Sequence, residues 1–288
     1  MMTSEEKKQH SSRLVPFSCY KCLIPDYFAS VPLHWHGEFE INFIISGRAE
    51  FICGDKRFIS SEGDIIIIPP NMLHAVYPHE SFRQRYDTVV FSPEMLGVSE
   101  NDRCAVECLK PIVSGCAAIN TRITREHVYY GELKTTAENI FSCAKGNASR
   151  LDMLMKSELL RFFWLLEESG DISLTDKNTA SRSEMIRPAI EYMNDNFSEA
   201  VTVEQLAEIT NMSKSYFMRR FKETAGVGAI EYLSQLRIKK ACEILLGTDK
   251  TVAETAFECG FRNLSNFNRQ FRRLAGCAPK EYRKTGRT

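Results

Sequence analysis

The chain of 288 residues has no apolar run approaching the roughly 20 residues that a membrane-spanning helix needs. Its start, Met1-Met2-Thr3-Ser4-Glu5-Glu6-Lys7-Lys8-Gln9-His10, is polar and lacks the apolar stretch of a secretory signal. The expectation is a cytoplasmic protein without membrane contact. Net charge is absent too, with 37 Lys and Arg against 37 Asp and Glu, which argues against a purely electrostatic nucleic-acid binder. No low-complexity tract occurs. The ten cysteines do not make a disulfide framework, because they are scattered from Cys19 to Cys277 in a long chain with no export signal. They read as reduced thiols packed as small hydrophobes. The pair Cys19 and Cys22 has no second ligand pair at zinc spacing, since Cys104 and Cys108 are spaced differently.

What is present suffices for two domains, each with its own core. Charge is unevenly spread. From Glu184 onward 17 Lys and Arg face 13 Asp and Glu, which leaves 20 against 24 in the remainder. Arg269, Arg272, Arg273, Lys280, Arg283, Lys284 and Arg287 gather near the end, the sign required for phosphate contact.

Residues 1–15 read as a flexible arm and residues 16–170 as a first domain. Glu40-Ile41-Asn42-Phe43-Ile44-Ile45 runs into Ser46-Gly47, Ala49–Cys53 follows, and Ile65–Ile68 ends at Pro69-Pro70-Asn71. Short strands so punctuated indicate a β-barrel or jelly roll. His34, His36, Glu38, Glu40 and Asn42 share one strand face, with Trp35, Phe39, Ile41, Phe43 and Ile45 on the other. The polar face either meets solvent or lines a ligand cavity. Leu151, Leu154, Met155, Leu159, Phe162, Phe163 and Leu166 then form a helical stripe, which either packs on the barrel or pairs two chains. Residues 171–183 read as a linker, and residues 184–288 as an all-α domain.

That last domain contains a repeat. A shift of fifty positions places Ser215 on Ser265, Phe217 on Phe267, Arg219 on Arg269, Phe221 on Phe271 and Glu231-Tyr232 on Glu281-Tyr282. In the first copy Val203–Ile209 forms a helix capped by Thr202, and Asn211-Met212 a turn. Ser213 caps a second helix that buries Phe217 and Phe221 and exposes Lys214, Ser215, Met218, Arg219 and Lys222. In the second copy Val252–Cys259 leads through Gly260-Phe261 to a helix over Ser265–Leu274, exposing Ser265, Asn268, Arg269 and Arg272. These are two helix-turn-helix units with cationic second helices of the kind that enter a major groove. A helix over Ile230–Leu246 separates them, and at about 25 Å it suits two successive groove turns.

Residues 184–283 resemble the DNA-binding domain of the AraC/XylS family of transcription regulators. The matching positions include Leu206-Ala207, Gly226, Tyr232-Leu233, Arg237, Ala241, Leu245, Ala256, Gly260-Phe261, Gly276, Pro279 and Tyr282-Arg283, together with the repeat residues above. Gly228 and Ala278 depart from the family pattern, off the proposed reading faces. The first domain is similar to the cupin-like sensor barrel of such regulators. His34-Trp35-His36, Glu40 and Gly47 match its first motif. Gly63-Asp64 through Pro69-Pro70-Asn71 to His74 match its second, with Asn71 in place of glycine.

The resemblance implies an α+β multidomain protein, a cupin-like barrel and helices followed by the double helix-turn-helix domain. It implies promoter binding, an activator's contact with RNA polymerase, a homodimer, a small effector such as a sugar, and no catalysis. The effector would meet His34, His36, Glu38, Glu40 and His74. Cupin enzymes hold a divalent metal at the positions of His34, His36, Glu40 and His74, whereas sensor barrels of this family generally work without one, so no cofactor is expected. Two other readings are a metal-dependent cupin enzyme with an appended DNA-binding domain, and an architectural DNA binder that answers to no ligand.

Overall fold

The alternation along Phe39–Gly47 produces a strand buried on both faces, and the first domain is layered around it. The computed structural model describes residues 15–26, 30–146, 148–174 and 184–285. Residues 1–14 of the expected arm and 175–183 of the expected linker lie outside the described residues. Eight strands come first: β1 (Phe17–Ile24), β2 (Val31–His34), β3 (Phe39–Gly47), β4 (Ala49–Cys53), β5 (Lys56–Ile59), β6 (Ile65–Ile68), β7 (His74–Pro78) and β8 (Gln84–Phe91). Then follow α1 (Lys110–Val113), β9 (Ala117–Ile119), β10 (Arg122–Ile123), α2 (Tyr130–Ala144), α3 (Ser149–Glu168) and β11 (Ile172–Leu174). One sheet has the order β1-β8-β3-β6-β10 and faces a second with the order β2-β7-β4-β5.

Between the sheets Ile44, Ile66, Ile68 and Tyr86 meet Phe51, Cys53 and Val76. The opposite face of the first sheet, with Phe39, Ile41, Ile65, Ile67, Val89 and Phe91, packs on Leu133 and Ile140 of α2 and on α3. The polar face therefore points inward, with Asn42 at 0% and His36 at 2% exposure. On α3 the residues Met155, Leu159, Phe162, Phe163 and Leu166 bury against the barrel, while Leu154 points away from it.

Two backbone positions explain local sequence choices. A Cβ on Gly47, at φ +83°, would fall 1.6 Å from the Arg83 carbonyl oxygen, so only glycine closes this turn. Asn71 has φ 64°, a left-handed conformation that asparagine tolerates, so its replacement of glycine costs the turn little. One boundary differs from expectation. β11 pairs antiparallel with β9, so the first domain runs through Leu174 into the range expected as linker. A strand of three residues is too short to show alternation in the sequence.

The second domain comprises α4 (Arg187–Asp195), α5 (Val203–Ile209), α6 (Lys214–Ala225), α7 (Ala229–Gly247), α8 (Val252–Glu258), α9 (Leu264–Ala275) and α10 (Pro279–Thr285). Side-chain capping fixes the starts of α5, α6, α8 and α9. Thr202 with Gln205 and Thr251 with Glu254 form capping boxes, and Ser213 and Asn263 accept hydrogen bonds from the first turns of α6 and α9. The repeat offset changes along the unit. Thr202 and Thr251 are 49 apart and Ser213 and Asn263 are 50 apart, so the second turn holds one additional residue.

The two domains share a core. Leu33, Trp35, Ile52, Leu73, Ala75 and Tyr77, on the outer face of the second sheet, pack with Ile190, Leu206, Phe217, Phe221, Tyr232 and Leu236 of the first helix-turn-helix unit. The second unit has its own core, built on Ile238, Leu245, Ala256, Phe267 and Phe271. α7 spans both. The Tyr232 hydroxyl donates to the Leu33 carbonyl at 2.7 Å, and the Arg187 guanidinium lies 4.7 Å over the Trp35 ring. Tyr232→Phe is expected to remove about 1 kcal/mol, read as a lower urea midpoint with an unchanged slope.

Candidate functional sites in the barrel and on the helical units

Strand register assembles the barrel cluster. His34 of β2 lies directly opposite His74 of β7, and Asn71 N–H donates to the His36 carbonyl at 2.8 Å, which brings the segment after β2 alongside. The ring centroids of His34 and His74 are 4.1 Å apart and those of His36 and His74 5.0 Å. One nitrogen from each of the three rings lies within 4.8 Å of the others. Each Nδ1 contacts a backbone carbonyl: Pro32 at 2.8 Å from His34, Glu38 at 3.2 Å from His36, Met72 at 2.8 Å from His74. A carbonyl only accepts, so each of these Nδ1 atoms carries a proton.

Glu40 joins from β3. Its Oε2 is 3.3 Å from His36 Nε2 and 3.8 Å from His74 Nε2. Asn42 Nδ2 donates to the other oxygen at 2.8 Å, and Thr88 Oγ1 donates to Asn42 Oδ1 at 2.6 Å. Burial alone would raise the Glu40 pKa, but the His36 hydrogen bond, the His74 and His36 charges and the Asn42 hydrogen bond outweigh it and hold it at about 2. It is a carboxylate at any physiological pH. Cys53 lies opposite His74 in β4, and burial followed by the Glu40 charge pushes its thiol far up, so it is a neutral thiol.

Four of the five residues expected at the effector site thus converge: His34, His36, Glu40 and His74. Glu38 stands apart, its carboxylate 3.5 Å from Nδ1 of His36, on the far side of that ring. Asn42 and Thr88 were missing from the expected set. Asn42 had been legible on the polar face, whereas Thr88, between Asp87 and Val89 in β8, carried no signal of its own.

On α6 the side chains of Lys214, Ser215, Met218, Arg219 and Lys222 are all exposed, and on α9 so are Ser265, Asn268, Arg269 and Arg272. Phe217, Phe221, Phe267 and Phe271 are fully buried on the opposite sides. Lys214 pairs with Glu204, Arg219 has Glu223 at 4.0 Å, and Arg269 bonds Asn266 at 3.0 Å. The two helices thus carry polar, cationic outer rows. Among the described residues no helix is long and apolar enough to cross a membrane.

Comparison with known proteins agrees along both domains. Residues 26–163 match the family described as AraC-like ligand binding domain, and residues 206–285 that described as Helix-turn-helix domain. The chain is 24% identical over 298 residues to the Melibiose operon regulatory protein of Escherichia coli, covering 98% of this chain and 94% of that one. It is 22% identical over 281 residues to the HTH-type transcriptional regulator YdeC of Bacillus subtilis, covering 97% and 96%. Over 108 residues it is 35% identical to the HTH-type transcriptional activator RhaS of Escherichia fergusonii, covering 38% of each chain. The solved structure of ToxT from Vibrio cholerae aligns over 93% of this chain and 98% of that one, at 14% identity and a TM-score of 0.48.

Proposed function

The chain belongs to the AraC family of DNA-binding transcription regulators, and from that premise we propose that it activates transcription from promoters it reads with both α6 and α9, under control of a small polar effector. The observation that carries the reading is the repeated geometry: two capped helices with buried phenylalanines and outer rows of Arg219 and Lys222, and of Arg269 and Arg272. α7, at 19 residues and about 28 Å, is a stiff spacer between them. Two major-groove contacts one helical turn apart, about 34 Å, suit such a spacer. The full-length relatives named above are transcription regulators, which favours this class over a metal-dependent enzyme.

The effector reading rests on the inward polar cluster of His34, His36, Glu40 and His74, bordered by Glu38. The name of the melibiose regulator favours a sugar, whose hydroxyls would match these donors and acceptors. RhaS, an activator by name, is similar over 108 residues, and this favours activation with an RNA polymerase contact. The test is selection of duplexes by the full-length protein from a random library, then reporter transcription from the selected site with and without sugars. Selected duplexes carrying two half-sites 10–11 base pairs apart (about one helical turn) are expected. Selection of no common sequence would sink the reading.

The homodimer is assigned to the outer row of α3. Met153, Leu160 and Trp164 are 74%, 41% and 56% exposed on the side away from the barrel. Antiparallel pairing of α3 with a second copy covers this apolar row. Leu160→Glu with Trp164→Glu is expected to convert a dimer to a folded monomer in sedimentation velocity. A double variant that sediments as the parent does would refute this surface.

A further inference from the structure

We propose that the cavity between the β4–β5 hairpin and α6 binds one oxyanion group of a small metabolite, a phosphate or a carboxylate, and that this ligand ties the first helix-turn-helix unit to the barrel. The site goes beyond the effector reading above and shares no residue with the polar cluster inside the barrel. The cavity, of about 60 Å³, is lined by Ile52, Lys56 and Arg57 on the barrel side and by Arg220, Glu223 and Thr224 on the helical side. A water occupies about 30 Å³ in the liquid, so this space takes one small polar group and not a whole sugar ring. Close approach builds its walls. β4 and β5 turn at Gly54-Asp55, with Cys53 opposite Lys56. Gly226, the left-handed cap of α6 at φ +77°, lies so near the hairpin that a Cβ there would fall 3.0 Å from Arg57 Nη2 and 3.3 Å from Ile52 Cδ1. Arg57 Nη2 also donates to the Glu223 carbonyl at 3.4 Å. At Gly276, the matching cap of α9, a Cβ would meet no described atom within 4 Å.

Arg220 supplies the reason for an anion. Its Nη1 donates to Glu223 Oε2 at 3.3 Å and its Nη2 to the Tyr216 hydroxyl at 2.9 Å. Its Nε is buried and has no hydrogen-bond partner among the described residues. A guanidinium stays charged and a buried N–H without an acceptor is unfavourable, so this donor calls for an oxygen. Lys56 lines the same cavity and makes no ion pair among the described residues. A buried N–H of a cation with a second cation beside it is the donor set for charge-assisted hydrogen bonds to an oxyanion. The two carboxylates on the walls do not cancel it. Glu223 is held by Arg220 at 3.3 Å and Arg219 at 4.0 Å, and Asp55 is exposed at the turn, where solvent screens it.

The repeat separates this wall from the rest of the fold. Under the fifty-residue shift Phe217, Arg219 and Phe221 have identical counterparts, whereas Arg220, Glu223 and Thr224 stand opposite Gln270, Arg273 and Leu274. The unit that packs on the barrel carries the Arg220 wall and the other unit does not, so these side chains answer to the interface and not to the helix-turn-helix fold or to DNA. An anion held by Arg220 Nε and Lys56 touches both walls. It binds the docked arrangement of the two domains alone, and stabilises it.

The experiment is isothermal titration calorimetry of the full-length protein with inorganic phosphate and with succinate, at constant ionic strength set by chloride. One saturable ion per chain is expected, with a raised Tm. Arg220→Lys keeps the charge and removes the Nε donor, and Lys56→Gln changes the exposed hairpin alone. Each should weaken binding about tenfold or more, and Arg83→Gln, an exposed arginine outside the cavity, should leave it intact. Thermal unfolding of each variant without added ion separates loss of ligand from loss of fold. Binding of phosphate alone assigns a phosphorylated metabolite, binding of succinate alone a carboxylate, and binding of both the oxyanion group itself. Binding of neither overturns the site. Equal binding by the parent and both cavity variants marks an adventitious ion only and overturns it as well. In hydrogen exchange the bound ion should add protection to β4, β5 and the second half of α6 together, and protection gained on one wall alone overturns the bridge between domains. Either failure leaves the effector reading of the barrel cluster as it stands, because the two sites share no residue.

Discussion

Phe221→Ala is expected to loosen two domains at once, whereas Phe271→Ala, its counterpart in the repeat, is expected to loosen one. Both rings are fully buried, and both stack edge-on with a tyrosine: Phe221 with Tyr232 at 5.7 Å, Phe271 with Tyr282 at 5.5 Å. By local packing alone each truncation costs about 3–5 kcal/mol. The surroundings separate them. Phe221 belongs to the core that includes Leu33, Trp35, Leu73, Ala75 and Tyr77 of the barrel, and Tyr232 hydrogen-bonds into β2. Phe271 belongs to a core made within the second unit, and Tyr282 packs against that same core. Hydrogen exchange therefore has two distinct expected outcomes. In Phe221→Ala the amides of β4 and β7 should lose protection along with α5 and α6. In Phe271→Ala the loss should stay within α8, α9 and α10. Undiminished protection of β4 and β7 in Phe221→Ala would mean that the interdomain packing is not cooperative, and would remove the physical route by which barrel occupancy reaches α6.

The contrast between the two units also marks what the sequence discloses. Two helix starts were readable because capping is local chemistry: Thr202 and Ser213 stand where α5 and α6 begin, whereas the Thr251 and Glu254 box that starts α8 was not read. Leu264 rather than Ser265 opens α9, because Asn263, not read as a cap, accepts from the N–H groups of Ser265 and Asn266. The strand alternation was equally plain, but alternation does not say which face lies inside. Here both faces of β3 are covered, the polar one by the opposite sheet and the apolar one by α2 and α3. The same ambiguity hid the shared core. Leu33, Trp35, Leu73 and Ala75 look like the buried half of an ordinary barrel strand, and only the register of β2 on β7 turns the histidines in and these residues toward the helices. Thr88 was invisible for a related reason. Its role exists only because β8 lies beside β3, where Thr88 pairs with Asn42 across 46 residues of sequence.

Arg269→Ala is expected to cost more specific DNA affinity than Arg219→Ala, although the repeat makes the two positions equivalent. A well-placed arginine pairing with a guanine edge contributes about 1–3 kcal/mol, about 5- to 150-fold in affinity. The neighbours then rank the two. Arg219 has the Glu223 carboxylate 4.0 Å away and leans on the Tyr216 ring at 5.5 Å, so docking on DNA must compete with an acidic group that phosphates repel. Arg269 is steadied by the neutral amide of Asn266, and Arg272 and Arg273 follow it in the last turn of α9. Arg273 is paired with Glu231 at 2.8 Å, so the positive face of the second unit is that of Arg269 and Arg272, neither facing a carboxylate on its own helix. The positions lie on separate units with separate cores, so the double variant should lose about the sum of the single effects, about 2–6 kcal/mol. Lys222→Ala supplies the contrast. As a phosphate contact it should weaken selected and random duplexes alike and lower the salt slope by about 1. Fluorescence anisotropy on a selected duplex and on a scrambled one, at several salt concentrations, measures all of these together. Selected-site affinity unchanged in both single arginine variants would refute the docking of α6 and α9 in the major groove. Equal losses on the selected and scrambled duplexes would reassign both arginines from bases to phosphates.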